Sequence, residues 1–364
     1  MKTYLNYFKS FVLCSILIFS FTACDDNDDK DDDALYLSVL KGVYVLNQGS
    51  EGKNSAGLSF YSGISSSQSY YFDIFQGKLG DTGQDVLIYG TKMYISVSKS
   101  SYINVFDLRS NRVSWKTIKV VDDNNEGREP RSLAAYDGKV YASTYDGHVV
   151  RIDTLSLSID AVTAVGPNPE GIAAANGKLF VANSDGLNYL NGYVNGYMSV
   201  IDIASFKETD KLTCGLNPGV VVADKYGDIY VSCLGDYYLI PASFQKVNSQ
   251  TNAIETIEGV QMSNFTIDDD ICYFYNTVYD GEGNPMQTFG KFNVSTETME
   301  TGSYITDDTK IGTAYGIGVD PVTKEVYLSD TDYLNPGMVY VFNTNGKLSN
   351  SFEAGVNPCQ FAFF

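Results

Sequence analysis

Short apolar stretches alternate with turns along most of the chain, and one arrangement keeps returning. An apolar strand meets a turn carrying Gly or Asp, and a second strand written apolar-aromatic-apolar follows. It reads Pro130-Arg-Ser-Leu-Ala-Ala-Tyr-Asp-Gly-Lys-Val-Tyr-Ala142 and then Pro169-Glu-Gly-Ile-Ala-Ala-Ala-Asn-Gly-Lys-Leu-Phe-Val181. Pro218-Gly-Val-Val-Val-Ala-Asp-Lys-Tyr-Gly-Asp-Ile-Tyr-Val231 is a third copy, and weaker ones run over 84–95, 262–275 and 315–328. A repeat of roughly 40–50 residues made of short strands is the signature of a β-propeller.

Anchors for the innermost strand fall near Gln84, Pro130, Pro169, Pro218, Met262, Tyr315 and Pro358, about 46 residues apart on average. The blade beginning at Pro130 shows the logic. Its inner strand is small and apolar, Asp137-Gly138 makes a tight hairpin because Gly tolerates positive φ, and residues 139–145 alternate as a half-buried strand. Asp146-Gly147 turns into residues 148–153, and 158–165 form the outer strand. Asp107, Asp202 and Asn343 end third strands, where their side chains can bond the backbone of the next turn. Residues 42–47 read as a second strand with no first, and 358–363 as a first strand with no second. Paired, they leave no free edge. The expected fold is an all-β, seven-bladed propeller over residues 34–364, closed by its N- and C-terminal strands in one blade.

The first 33 residues read differently. Lys2 and Lys9 precede an apolar run over 11–21, too short for a span of about 20 residues. Residues 1–23 are therefore expected to be a signal peptide. Phe21-Thr-Ala-Cys24 resembles a bacterial lipobox, with Phe in place of the usual Leu, which implies lipidation of Cys24. Seven of the ten residues 24–33 are Asp; like charges repel, so this stretch is expected to be an extended tether. It lacks the Gly and terminal Glu of an EF-hand calcium loop. It also resembles the acidic export tag of Gram-negative surface lipoproteins, which implies an outer-membrane protein facing the exterior and held by lipid alone.

Charge narrows the partners. The chain carries 25 basic and 44 acidic residues, and beyond residue 33 there remain 22 and 37, a net charge of −15. Nucleic acid is not an expected partner, because phosphate binding needs basic clusters. Beyond the leader the cysteines are Cys214, Cys233, Cys272 and Cys359, with no Cys-x-x-Cys pair to hold zinc; a disulfide is permitted in an oxidising compartment, but its pairing is open. His148 is the single histidine, which weakens a Ser-His-Asp triad or a multi-histidine metal centre. No catalytic set, metal site or cofactor is expected, and the chain is read as a binding protein rather than an enzyme.

The informative segments are those where the repeat is broken. Residues 183–197 form the longest connection and mix Asn, Gly and Tyr; 235–238, 276–284 and 330–333 are similar. Connections longer than a hairpin needs are often functional. Tyr offers a flat apolar face with a hydroxyl, and Asn both donates and accepts. Candidate ligand contacts are Asn47, Lys99, Arg131, Tyr145, His148, Asn183, Asp185, Asn188, Tyr189, Tyr193, Asp236, Tyr237, Tyr238, Asn276, Asp330, Asp332 and Tyr333. The Asn-Pro pairs at 168–169, 217–218 and 357–358 are equally explained as turn initiators.

The Gly-Lys-Val/Leu-Tyr/Phe-Val/Ala repeat with Ile-Asp-Thr/Ile endings resembles the YncE-like, YVTN-repeat propellers. Val45-Leu-Asn-Gln-Gly49, Leu58-Ser-Phe-Tyr61, Leu79-Gly-Asp-Thr-Gly-Gln-Asp85 and residues 169–178 are similar to the surface lipoprotein propellers that include the BtuG-type cobalamin-capture proteins. That resemblance implies a corrinoid or other small-molecule cargo bound outside the cell and passed to a TonB-dependent outer-membrane transporter. A surface propeller binding glycan or protein shares the same anchor and fold. A lactonase-type hydrolase would need an acid–base or metal set.

Overall fold

The computed structural model describes residues 42–62, 70–73, 79–109, 115–237, 239–280, 282–283 and 285–364. The leader, Cys24, the acidic tether, Tyr238 and Asn284 lie outside these. Among the described residues the strands form seven four-stranded antiparallel sheets, the blades of a β-propeller. Blade 1 combines Pro358–Phe363 with Val43–Asn47, Gly57–Ser62 and Tyr70–Asp73; blade 2 is Gly83–Tyr89, Lys92–Val97, Tyr102–Asp107 and Trp115–Lys119. Blade 3 is Pro130–Tyr136, Lys139–Thr144, His148–Asp153 and Ser158–Ala164; blade 4 is Pro169–Ala175, Lys178–Asn183, Tyr197–Asp202 and Lys207–Leu212. Blade 5 is Pro218–Ala223, Asp228–Cys233, Ser243–Asn248 and Ile254–Thr256; blade 6 is Asn264–Asp268, Ile271–Tyr279, Pro285–Asn293 and Thr298–Met299. Blade 7 is Ala314–Val319, Val326–Asp330, Pro336–Phe342 and Leu348–Val356.

The first strand of each blade is innermost, and each packs on the inner strand of the next until Pro358–Phe363 meets Gly83–Tyr89 and closes the ring. The core lies between blades. Second strands are buried on both faces, which explains their continuous apolar runs. Their aromatic residue fills the gap to the next blade: Tyr94, Tyr141, Phe180 and Tyr230 are at most 1% exposed. Burying such a side chain is worth roughly 1.5–3 kcal/mol. The hairpin at Asp137-Gly138 has φ of 45° and 75°, and Asn176-Gly177 has 48° and 75°, the two positive values that a type I′ turn requires. The Asp and Asn endings of third strands also act as expected: Asp153 Oδ1 accepts from the Ser156 amide at 2.7 Å, Asp202 Oδ1 from Ser205 at 2.8 Å, and Asn343 Oδ1 from Asn345 at 3.0 Å.

Two further devices fix the inner strands, one between neighbouring blades and one within a blade. The serine after the buried aromatic, in Tyr94-Ile-Ser96, Tyr141-Ala-Ser143 and Tyr327-Leu-Ser329, accepts an inner-strand amide of its own blade. Its hydroxyl then donates to an inner-strand carbonyl of the next blade, that of Arg131, Glu170 or Pro358. Blade entry residues form the second device. Glu129, Asn168, Asn217 and Asn357 each precede a proline with φ near +50°, a region Asn tolerates. In that conformation their carbonyls accept amides from just beyond a second strand, those of Tyr145, Ser184, Leu234 and Gln48. The Asn-Pro pairs are thus explained by blade closure.

Candidate functional site

Each inner strand begins at the face bearing the long connections, so its first residues surround the central axis there. Glutamine, charged, amide and hydroxyl residues occupy these positions where the rest of the strand is small and apolar. Together they line a cavity of about 650 Å³ that opens onto the long connections, with Gln84, Asp85, Arg131, Glu170, Asn264, Tyr315 and Gln360 in its wall.

The charged residues are arranged unequally. Arg131 forms a fork with Glu170, Nε to Oε2 at 2.9 Å and Nη2 to Oε1 at 3.0 Å, a bidentate geometry that fixes both side chains. Its guanidinium lies 4.9 Å from the Tyr145 ring centre, a cation–π contact. Burial pushes the Glu170 carboxyl up from its ordinary value, and Arg131 pulls the other way. Among the described residues no cation pairs with Asp85. Its carboxylate accepts from the amides of Leu133 at 2.7 Å and Val86 at 2.8 Å, yet burial dominates and pushes its pKa up to about 6.

That shift has a measurable consequence. The folded carboxyl holds its proton more tightly than the unfolded one, so its effect on stability is nil below about pH 4, grows as pH rises, and levels above about pH 6 at a loss of roughly 3 kcal/mol. A carboxyl-carbon NMR titration should therefore show a midpoint near 6 that disappears in Asp85→Asn. A midpoint near 4 would contradict this placement.

Around the mouth the connections supply tyrosine. Tyr145 of blade 3, Tyr193 of blade 4 and Tyr237 of blade 5 line the opening, while Tyr315 of blade 7 lines it from the inner strand. Tyr333 sets its ring edge-on to Tyr315 at 5.8 Å between centres. Burial pushes the Tyr237 hydroxyl up, with smaller contributions from the neighbouring Tyr193 and Tyr279, and Asn217 beside it pulls the other way. Tyr333 likewise feels Tyr279 after burial. The result is an arc of tyrosines contributed by blades 3 to 7. Leu187, Leu190 and Val194 on one connection, Leu239 and Ile240 on the next, and Leu334 on a third stand exposed beside it. A second cavity of about 430 Å³ separates Tyr237, Leu239 and Ile240 from Asn276, Val278 and Tyr279.

The candidate residues divide by location. Arg131, Tyr145, Tyr193 and Tyr237 meet at the cavity; Tyr333 reaches it through Tyr315, and Asn276 lines the second cavity. Tyr189 stands exposed on a 3₁₀ turn, Gly186–Asn191, within the 183–197 connection. Asn47, Asn183 and Asp330 are strand residues rather than loop residues. Asn47 donates to Ser59 Oγ at 2.7 Å, Asn183 to the Tyr197 carbonyl at 3.0 Å, and Asp330 accepts from Gly312 and Thr313 amides at 2.8 and 2.7 Å. Asn276 is also in a strand, paired with Thr288, because the blade 6 hairpin continues to Tyr279.

Several polar candidates shape their own loops. Asp185 accepts from Asn188 Nδ2 at 3.0 Å and from the Asn195 amide at 2.9 Å. Asp236 accepts the Leu239 and Ile240 amides, both at 2.7 Å, and Asp332 those of Leu334 and Asn335 at 2.9 and 2.7 Å. Lys99 is paired with Glu129 at 3.0 Å and lies 3.7 Å from Glu51. His148 begins the third strand of blade 3, with Nδ1 3.1 Å from Asp146. Asp85, Asn264, Tyr315 and Gln360 were not among the candidates. Their signal is present in sequence: each is a polar or aromatic residue among the first three positions of an inner strand.

Residues 41–354 match the family model described as a domain of unknown function, DUF5074. No curated protein matches the sequence significantly. Among solved structures, a Bacteroides fragilis protein described as a candidate 6-phosphogluconolactonase is 10% identical with a TM-score of 0.61, covering 90% of this chain and 99% of that one. Hydrazine synthase from Kuenenia stuttgartiensis is 13% identical with a TM-score of 0.59, covering 74% and 86%. A functionally unknown protein from Desulfotomaculum acetoxidans is 14% identical with a TM-score of 0.57, covering 89% and 98%. At these identities the likeness concerns the fold, which hosts many unrelated functions.

Proposed function

We propose that this chain, which belongs to the DUF5074 family, is a capture protein that binds a neutral, amide- or hydroxyl-rich ligand at the tyrosine-lined mouth of the propeller. The observation that carries this reading is the convergence of tyrosines from blades 3, 4, 5 and 7 on a cavity whose wall is polar. A volume of about 650 Å³ suits part or all of a small ligand. The exposed rim of Leu, Val and Ile extends the contact surface for something larger than the cavity.

Binding is favoured over hydrolysis by how the carboxylates are used. Glu170 is held by Arg131 and Asp85 by two backbone amides, so neither is poised against a nucleophile. The best-fitting cargo is a corrinoid, consistent with the family resemblance: a flat ring with many amide arms matches tyrosine faces above Gln, Asn and Arg. In this proposal the protein stands on the outer membrane by its lipidated Cys24 and passes the cargo to a TonB-dependent transporter.

Titration calorimetry with cyanocobalamin tests it. Binding at micromolar affinity or tighter is expected, and Tyr193→Ala and Tyr237→Ala should each weaken it about tenfold, roughly 1.4 kcal/mol. No heat and no competition at micromolar ligand would remove the corrinoid reading in favour of a glycan or protein partner.

A further inference from the structure

We propose that Cys214 and Cys233 are a redox pair that closes to a disulfide and staples two of the segments forming the ligand mouth. Cys214 lies in the connection entering blade 5 and packs on the cluster that contains Cys233, the last residue of that blade's second strand. The approach is close: a Cβ on Gly215, next to Cys214, would sit 2.8 Å from Cys233 Cβ and 3.1 Å from its sulfur. Both thiols are free in the structure. Gln245 Oε1 accepts from Cys233 Sγ at 3.6 Å and from the Gly215 amide at 2.7 Å, which holds the two segments side by side. Cys272 contacts Met262 Sδ at 3.8 Å in blade 6 and Cys359 the Leu46 carbonyl at 3.4 Å in blade 1, so both sit in other blades.

The pair is asymmetric in a way that sets the order of events. Cys214 is half-buried and Cys233 fully buried. The neighbouring Cys233 holds the Cys214 thiol below its ordinary range, whereas Cys233 is pushed up by the same proximity and by burial. Cys214 as thiolate attacks a small disulfide such as oxidised glutathione, forming a mixed disulfide and releasing one glutathione thiolate. The Cys233 sulfur, giving up its proton, then attacks the Cys214 sulfur and expels the second. Two protein thiols lose two protons and two electrons, and one oxidised glutathione becomes two reduced molecules.

The bridge would act on the mouth because its neighbours do. The Leu234 amide already bonds the Asn217 carbonyl at 3.0 Å, and Gly235 bonds Leu216 at 3.0 Å. Asn217 and Tyr237 both line the cavity. A bond between 214 and 233 fixes these two strips more tightly. The disulfide stands on the packing of the Cys214-Gly215 segment against Cys233; its effect on cargo rests on the capture reading.

Peptide mass mapping of the full chain after oxidised glutathione is the test. The expected product is a peptide joining Cys214 to Cys233, two hydrogens lighter, with the melting temperature raised by roughly 5 °C. Both changes should vanish in Cys214→Ser and on reduction. Thiols that stay free, a persistent glutathione adduct on Cys214, or a bond from Cys214 to another cysteine would overturn the pair. A bridge that forms without altering cyanocobalamin affinity in a protein that binds it overturns the link to the mouth. A bridge in a protein that gives no heat in either state supports the pair and counts against the capture reading.

Discussion

A chain ending at Asn357 should fail to reach the folded state. The seven residues it lacks provide the inner strand of blade 1, paired to Val43–Asn47 in a register that runs from Val43 opposite Phe363 to Asn47 opposite Pro358. The same strand packs against the inner strands of blades 2 and 7. Phe361 and Phe363 place their rings 5.9 and 5.2 Å from Tyr327, Ser329 donates to the Pro358 carbonyl, and Gly42 and Phe364 exchange backbone bonds at 3.0 Å. Losing this strand opens the ring between blades 7 and 2 and leaves Val43–Asn47 with an unpaired edge inside the molecule. The forfeited burial and hydrogen bonds exceed the 5–15 kcal/mol by which a native protein of ordinary stability is held together. The truncated chain should show no cooperative thermal transition and should be degraded by protease under conditions that spare the full chain. Removing Phe364 alone, which is 37% exposed, should leave a folded protein. A melting curve unchanged by the longer deletion would mean that the ring closes without its last strand.

The fold was legible because each blade repeats the same local solution. A second strand buried on both faces must be apolar throughout, its turn needs positive φ, and its third strand ends in a residue that caps the next turn; all three leave marks in sequence. Tyr141, Asp137-Gly138 and Asp153 are the instances in blade 3. The site was less legible because those same residue types serve two purposes. Asp185, Asp236 and Asp332 sit in polar connections where a ligand contact and a backbone cap look alike in sequence, and in the structure each binds its own loop. Asp85, Asn264 and Tyr315 converge from blades far apart in the chain. No local pattern states that convergence; only closure of the ring creates it. The interior serine tie was hidden for a related reason, since Ser96 and Ser143 read as ordinary alternation until the next blade's carbonyl is in place.

Arg131→Leu should be the most damaging single substitution at the cavity, and more so at high pH. It removes the guanidinium that Glu170 pairs with, leaving a carboxylate in the cavity wall whose side chain keeps only a quarter of its surface open. Breaking a buried pair by removing one partner costs about 3–5 kcal/mol. Access of water through the cavity favours the low end, about 3 kcal/mol at pH 8. The sign of the pH effect follows from burial, which already pushes the Glu170 carboxyl up and is no longer opposed by Arg131 in the variant. A carboxyl whose folded pKa exceeds its unfolded one favours the folded state when protonated, so the penalty is smallest below the unfolded value and grows as pH rises towards the folded one. Urea denaturation at pH 5 and pH 8 should therefore show the variant recovering at pH 5 relative to the wild type. The double variant Arg131→Leu with Glu170→Leu should regain most of the loss at pH 8, because no unpaired charge remains. If the single and double variants are equally destabilised at both pH values, the fork matters through its contact with Tyr145 rather than through charge.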